Sequence, residues 1–222
     1  MSHHLIDTIL QIESSTHKVF KNNDVITSAG SKDKNCYYIR SGYVKVYDLN
    51  SNGTIKIIGI LTKDEMFPLI WGFDHPSETV YYYKAFGVTE VAAVETTLLR
   101  QQLDENPVIS RNAMLQFVYL TWDFMERIKG LQMPYTYEKL VRLMPYLAAK
   151  LGKKIAANRY DIMESMTQEE IAQMIGVTRE SISAHMSRLE EEKIVRRKGS
   201  HLSVDLANVP EEYIHDVWFN KS

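Results

Sequence analysis

Hydrophobic positions along this chain follow three different periods. From about Val19 to Leu103 they come in short alternating runs: Tyr43, Val44, Val46 and Tyr47 are interleaved with Lys45 and Asp48, and Ile55, Ile57 and Ile60 carry the pattern on. Gly30, Gly42, Gly53, Gly59, Gly72 and Gly87, with Asn22-Asn23-Asp24 and Asn50-Ser51-Asn52-Gly53, punctuate these runs as turns do, which predicts an antiparallel β unit. Ahead of it, Leu5, Ile6, Ile9, Leu10 and Ile12 form a helical stripe over about His4 to Ser14, suited to packing on that unit.

The second period begins at Asn106-Pro107, with Pro107 placed for the first turn of a helix that runs without Gly or Pro to Lys129. Met114, Phe117, Thr121, Phe124, Ile128 and Leu131 follow an a/d spacing over about three heptads, a seam that calls for a partner helix. Thr121 weakens a generic coil there and helps fix register. Val118 and Met125 form a second apolar line, expected to rest on the chain's own β unit. Gly130 and Pro134 mark a hinge, and a helix over about Tyr135 to Leu151 contains Pro145, which predicts a kink or a split. Ile155 and Tyr160 to Met163 suggest a small hairpin, and Pro210-Glu211-Glu212 opens a last helix carrying Tyr213, Val217 and Trp218.

The third pattern, from Thr167 to Ile194, carries most of the functional information. Thr167 followed by Glu170 is a capping box, and Ile171, Met174 and Ile175 share one face of the helix it starts. Gly176 supplies the positive φ of a tight turn, Val177 plugs that turn, and Thr178 caps a second helix that buries Ile182, Met186 and Leu189. This leaves Arg179, Glu180, Ser183, Ala184 and His185 outward near the start of the second helix, where a helix-turn-helix presents side chains to base edges. Arg196, Arg197 and Lys198, then Gly199, then His201, Leu202 and Val204 read as two strands around a turn, a basic wing.

At these residues the chain resembles the Crp/Fnr superfamily of bacterial transcription regulators. The run T-x-x-E-I-A-x-x-I-G-x-T-R-E-S-I-S followed by R-L-E-E-E is similar to the family's winged helix-turn-helix. Tyr37 to Tyr47, Gly53 and Asp64-Glu65-Met66-Phe67 are similar to its sensor roll. The resemblance implies an α+β fold: an N-terminal antiparallel β-roll of the cyclic-nucleotide-binding type (1–105), a long dimerisation helix with its hinge (106–133) and a C-terminal winged helix-turn-helix (134–222). It implies a homodimer joined through the long helix, double-stranded DNA as partner on a near-palindromic operator, and RNA polymerase as a further partner. Arg179 suits guanine O6 and N7, and Glu180 suits cytosine N4. Where the family commonly carries a further arginine this chain has Ala184, leaving a thymine methyl for Ala184 or a substitute contact from His185. Thr167, Thr178, Arg188, Arg197, Lys198 and His201 are the expected phosphate contacts.

Composition narrows the picture. A net charge of −2 on 222 residues excludes a polyanion-coating protein, so DNA contact must be local, as the cluster from Arg188 to His201 allows. The single cysteine, Cys36, supplies neither a disulfide nor the thiolates of an iron–sulfur cluster and fits a reducing cytoplasm. There is no membrane span, no P-loop and no nucleophile–base arrangement, so neither an enzyme nor a metal site is expected, and His3-His4 reads as incidental.

The effector pocket departs from cyclic-nucleotide-binding relatives. Glu65, Phe67, Trp71, Tyr81, Tyr83 and Lys84 are the candidate lining, but Pro68 interrupts the cassette and no arginine lies between Arg40 and Arg100 to fork onto a phosphate. The roll is expected to bind nothing, or something less anionic than cyclic AMP. Haem stays open through His75-Pro76 and the aromatic residues around it, Phe73 and Phe86 included. The rival reading is a small-molecule or haem sensor whose helix-turn-helix serves protein contacts.

Overall fold

The computed structural model describes residues 15–32, 34–68, 78–199, 201–215 and 219. The expected helix over His4 to Ser14, the His3-His4 pair, Trp71, Phe73, the His75-Pro76 loop, Val217 and Trp218 lie outside them. Contacts divide the described residues into two compact units, one within 15–54 and 58–122, the other within 55–57 and 123–219.

The first unit contains an antiparallel sheet in the order β1 (Thr16–Phe20), β6 (Tyr82–Glu95), β3 (Asn35–Leu49) and β4 (Ile55–Leu61), with β2 (Val25–Thr27) on β6 and β5 (Met66–Phe67) on β3. Successive side chains of a strand point to opposite faces, and at Cys36 to Ile39 both faces of β3 are buried. Cys36 and Tyr38 join Met66, Ala92 and Val94 in one core, while Tyr37 and Ile39 join Val44, Val46, Phe67, Tyr83 and Val91 in another. In the second core Phe67 stacks between Tyr37 and Tyr83, with ring centroids 5.4 and 5.0 Å away. Each such pair adds about 0.5–1.5 kcal/mol beyond area burial.

The strand-like reading to Leu103 runs one element too far. Thr96–Glu105 is a helix, α1. Two β-branched residues at its start prolong the strand pattern, but Leu99 and Leu103, one helical turn apart, are the residues it buries against the first core.

Pro107–Leu131 forms one long helix, α2, which the division by contacts cuts between Trp122 and Asp123. Within the first unit it buries Ile109, Ala113 and Gln116. The Gln116 amide accepts from Met66 N–H at 3.1 Å and donates to Met66 O at 2.9 Å, as a neighbouring strand would. The second apolar line does not rest on the roll as expected: Val118 and Met125 are 43% and 58% exposed. From Gln116 onward the buried positions of α2 are polar.

The second unit continues that inversion. In α3 (Thr136–Leu151), Lys150 Nζ lies 2.5 Å from the Asp123 carboxylate and Arg142 lies 3.0 Å from that of Glu126, with all four side chains buried. Gly130 lies within α2, and a Cβ there would stand 3.3 Å from Arg142 Cδ, so its lack of a side chain leaves room for this arginine. Pro145 does not split α3: one backbone bond is forgone, but Leu143, Met144, Tyr146, Leu147 and Ala148 around it are all buried. The unit is completed by β7 (Gly152–Lys154), β8 (Arg159–Ile162), α4 (Gln168–Ile175), α5 (Arg179–Glu191), β9 (Val195–Lys198) and β10 (His201–Asp205), the strands forming a sheet in the order β7-β8-β10-β9. Glu211–Tyr213 is a single 3-10 turn in place of the start of the expected last helix.

Burial works to raise the Glu126 carboxyl, yet Lys129, His215 and Arg142 together hold it below the usual carboxylate range. Its contribution to stability is therefore present above the unfolded-state pKa and lost as pH falls through the depressed folded value. Glu126→Ala leaves Arg142 buried without its partner and is expected to cost about 3–5 kcal/mol near neutral pH, with the deficit shrinking in acid. Urea denaturation of both proteins across pH checks this.

Candidate nucleic-acid interface

The two helices α4 and α5 are defined at each end by local chemistry. Thr167 Oγ1 accepts from Glu170 N–H at 3.1 Å while the Glu170 carboxylate accepts from Thr167 N–H at 2.9 Å, so both halves of the capping box form. Gly176 ends α4 in the left-handed region, φ 69°, a conformation that costs other L-residues about 1–2 kcal/mol. Thr178 caps α5 by accepting from Ser181 N–H at 3.3 Å. Ile171, Ala172, Met174 and Ile175 on α4 and Ile182, Met186 and Leu189 on α5 are buried, and these apolar faces fix the outward side of α5.

On that side Arg179, Glu180, Ser183 and Ala184 are exposed. His185 is not among them. It is half-buried, with its ring 5.7 Å from that of Tyr137 on α3. A step of about 100° per residue carries position 185 from the outward face to the flank toward α3. Ala184 therefore occupies the outward position by itself.

The basic cluster is less free than its sequence suggests. Arg197 shares the inward parity of β9 with buried Val195 and makes a two-pronged contact with Glu190, Nε to Oε1 at 2.9 Å and Nη2 to Oε2 at 2.6 Å. This pairing, through its hydrogen bond first, holds Glu190 below the usual carboxylate range. Arg188 Nε donates to Glu192 at 2.8 Å, and its guanidinium lies 3.8 Å from the centre of the Tyr137 ring. Arg196, Lys198 and His201 are exposed along the wing, whose two strands meet at Gly199, φ 62°. Thr167 and Thr178 stand at the starts of α4 and α5, where unpaired backbone N–H groups favour anions.

Of the expected effector residues that are described, Phe67 and Tyr83 meet, stacked 5.0 Å apart. Phe67 and Tyr83 belong to the aromatic core, and burial pushes the Tyr83 phenol well up. Glu65 is buried and accepts from Thr62 N–H at 2.9 Å, closing its own turn. Tyr81 is exposed, and Lys84, on the sheet face opposite Tyr83, sits 5.3 Å over the Tyr47 ring. Cys36 is fully buried. Among the described residues no cluster of three or more His, Cys, Asp or Glu side chains is arranged to hold a metal, and no helix is long and apolar enough to cross a membrane. Tyr137 was not legible in advance: it lies far upstream of α5 in a segment that reads as plain helix.

Comparison with known proteins agrees with this architecture. A model of the Crp-like helix-turn-helix domain matches residues 138–209 and one of the cyclic nucleotide-binding domain matches residues 17–106. The chain is 23% identical over 189 residues to the cAMP-activated global transcriptional regulator CRP of Pasteurella multocida, covering 85% of this chain and 88% of that one. It is 23% identical over 201 residues to the fumarate and nitrate reduction regulatory protein of Vibrio cholerae, covering 90% and 78%. In fold it is similar to the c-di-GMP responsive global regulator CLP of Xanthomonas campestris, with a TM-score of 0.76 at 15% identity over 91% of this chain and 98% of that one. With one family model on the roll, another on the helix-turn-helix, and relatives matching across most of its length, the chain belongs to the Crp/Fnr family of transcription regulators.

Proposed function

We propose that the protein acts in the cytoplasm as a homodimer that reads a near-palindromic operator and meets RNA polymerase there, without control by cyclic AMP. The observation that carries the DNA reading is the outward face of α5, where Arg179 and Glu180 stand exposed in the first turn of a helix capped at Thr178. An α-helix fits the major groove, and its N-terminal side chains reach base edges. Lys198 and His201 on the wing are the phosphate contacts the arrangement leaves unencumbered, with Thr167 and Thr178 at the two helix starts.

Dimerisation is supported by the ridge on α2. Met114, Phe117, Phe124, Ile128 and Leu131 are all exposed by 39% or more, and so are Val118, Trp122 and Met125 beside them. So continuous an apolar face on a charged protein calls for cover. Both apolar lines lie on the outward side, so both join the seam. At its C-terminal end α2 is tied to the helix-turn-helix by Arg127, whose Nη2 donates to Met174 O at 2.7 Å. A shift at this joint would move α5 with it. Independence from cyclic AMP is supported by the lack of an arginine between Arg40 and Arg100 and by the burial of Phe67 and Tyr83 in an aromatic core.

Three outcomes are expected. In gel-shift titrations Arg179→Ala loses about 1–3 kcal/mol on the operator and relaxes selection at one base pair, whereas Lys198→Ala weakens all duplexes alike and lowers the salt slope by about 1. Equal losses on specific and random duplexes for Arg179→Ala contradict the base contact. Met125→Glu with Ile128→Glu is expected to give monomers in sedimentation. Calorimetry with cyclic AMP should show no micromolar binding.

A further inference from the structure

The geometry points to Tyr137 as a positioning residue for DNA binding: it holds the Arg188 guanidinium in place for a backbone phosphate beside the half-site. This rests on the DNA-reading function proposed above. Position 188 is one helical turn beyond Ala184 on the same side of α5, and Arg188 is 57% exposed. What distinguishes it from an ordinary surface arginine is that two groups, the Glu192 carboxylate and the Tyr137 ring, already fix it and are themselves joined. Its Nε donates to Glu192 Oε1 at 2.8 Å, the Tyr137 hydroxyl donates to Glu192 Oε2 at 2.5 Å, and the guanidinium carbon lies 3.8 Å from the centre of the Tyr137 ring. The two terminal nitrogens donate to no group among the described residues, so a prong-shaped pair of donors is left for two anionic oxygens.

Helix stability does not account for the arrangement. Glu192 sits at the C-terminal end of α5, where a carboxylate opposes the helix dipole, and the Arg-then-Glu order at i, i+4 is the weaker one. A carboxylate on a face that approaches phosphates is also unfavourable by itself. Its use here is to grip: the phenol hydrogen bond, more than any other influence, holds Glu192 below the usual carboxylate range, and burial with that same bond keeps the Tyr137 phenol neutral. The anchor for Arg188 is thus set by α3 and does not depend on α5 alone. The same ring flanks His185, which explains why that histidine is withdrawn from the outward face.

An arginine ordered before binding loses less rotamer freedom on binding, a saving of about 0.5–1.5 kcal/mol per side chain. Tyr137→Ala is therefore expected to weaken operator binding about 2- to 10-fold per half-site, and Tyr137→Phe, which keeps the ring, to recover most of that loss. The test is a double-mutant cycle on a selected operator and on a random duplex over a range of salt, using wild type, Tyr137→Ala, Tyr137→Phe, Arg188→Ala and Tyr137→Ala/Arg188→Ala. Support consists of an Arg188→Ala loss shared by both duplexes, a salt slope lower by about 1, and a Tyr137→Ala effect that vanishes once Arg188 is gone. A Tyr137→Ala loss that persists undiminished without Arg188 means a merely structural tyrosine and overturns the inference, as does wild-type binding by Tyr137→Ala, or an Arg188→Ala loss confined to one base pair. If the wild type binds and Arg188→Ala binds equally well, only this inference fails. A wild type with no salt-dependent duplex binding overturns this inference and the DNA reading together.

Discussion

The structure depends most on a helix that faces the opposite way from the usual amphipathic one. Along α2, beyond Ile109 and Ala113, the inward positions hold Gln116, Asp123 and Glu126, and the outward ones hold methionines, phenylalanines, an isoleucine and a tryptophan. The inward polar groups are tolerable because each has a matched partner: the backbone of Met66 for the amide, and Lys150 and Arg142 for the carboxylates. Buried ion pairs contribute little net stability against apolar packing, but they are costly to break singly, so they favour one arrangement of α2 on α3 over its alternatives. The outward ridge is left for another surface, and a second copy of the same helix is the surface we propose.

The helix-turn-helix shows the same reliance on local constraint. Two threonine caps and one left-handed glycine define where α4 stops and α5 starts, and burial of three residues on α5 then settles which side chains face out. Charge is arranged with equal economy. The protein is slightly acidic, and two arginines of its basic cluster are matched to glutamates at the end of α5, Arg197 to Glu190 and Arg188 to Glu192. The cations left open on the wing are few, which suits binding that depends on a correct site more than on bulk attraction.

Much of this was legible in the sequence because it is local. The capping box, the glycine turn, the buried triad of α5 and the wing hairpin are each set by residues within a few positions of one another. The roll was legible from its alternation and turns, except at Thr96–Glu105, where two threonines imitate strand before two leucines declare helix. The inward face of α2 was misread because its partners lie on another element: Asp123 and Glu126 look solvated until Lys150 and Arg142 arrive from α3. Tyr137 and the withdrawal of His185 were hidden for the same reason, since a ring stacked across two helices leaves no periodic trace. Phe67 and Tyr83, two of the residues expected at a pocket, stack with Tyr37 in a core, a packing that their spacing in the sequence did not disclose.

The central claim is that two copies of α5, related by a two-fold axis, enter the major groove about one turn of duplex apart. Varying the separation of two half-sites in one duplex tests it most directly. The account predicts tight binding with half-site centres about 10 base pairs apart and a steep loss when about 5 more turn the second site to the far side of the helix. Affinity indifferent to that insertion, or a lone half-site bound as tightly as the pair, would contradict it.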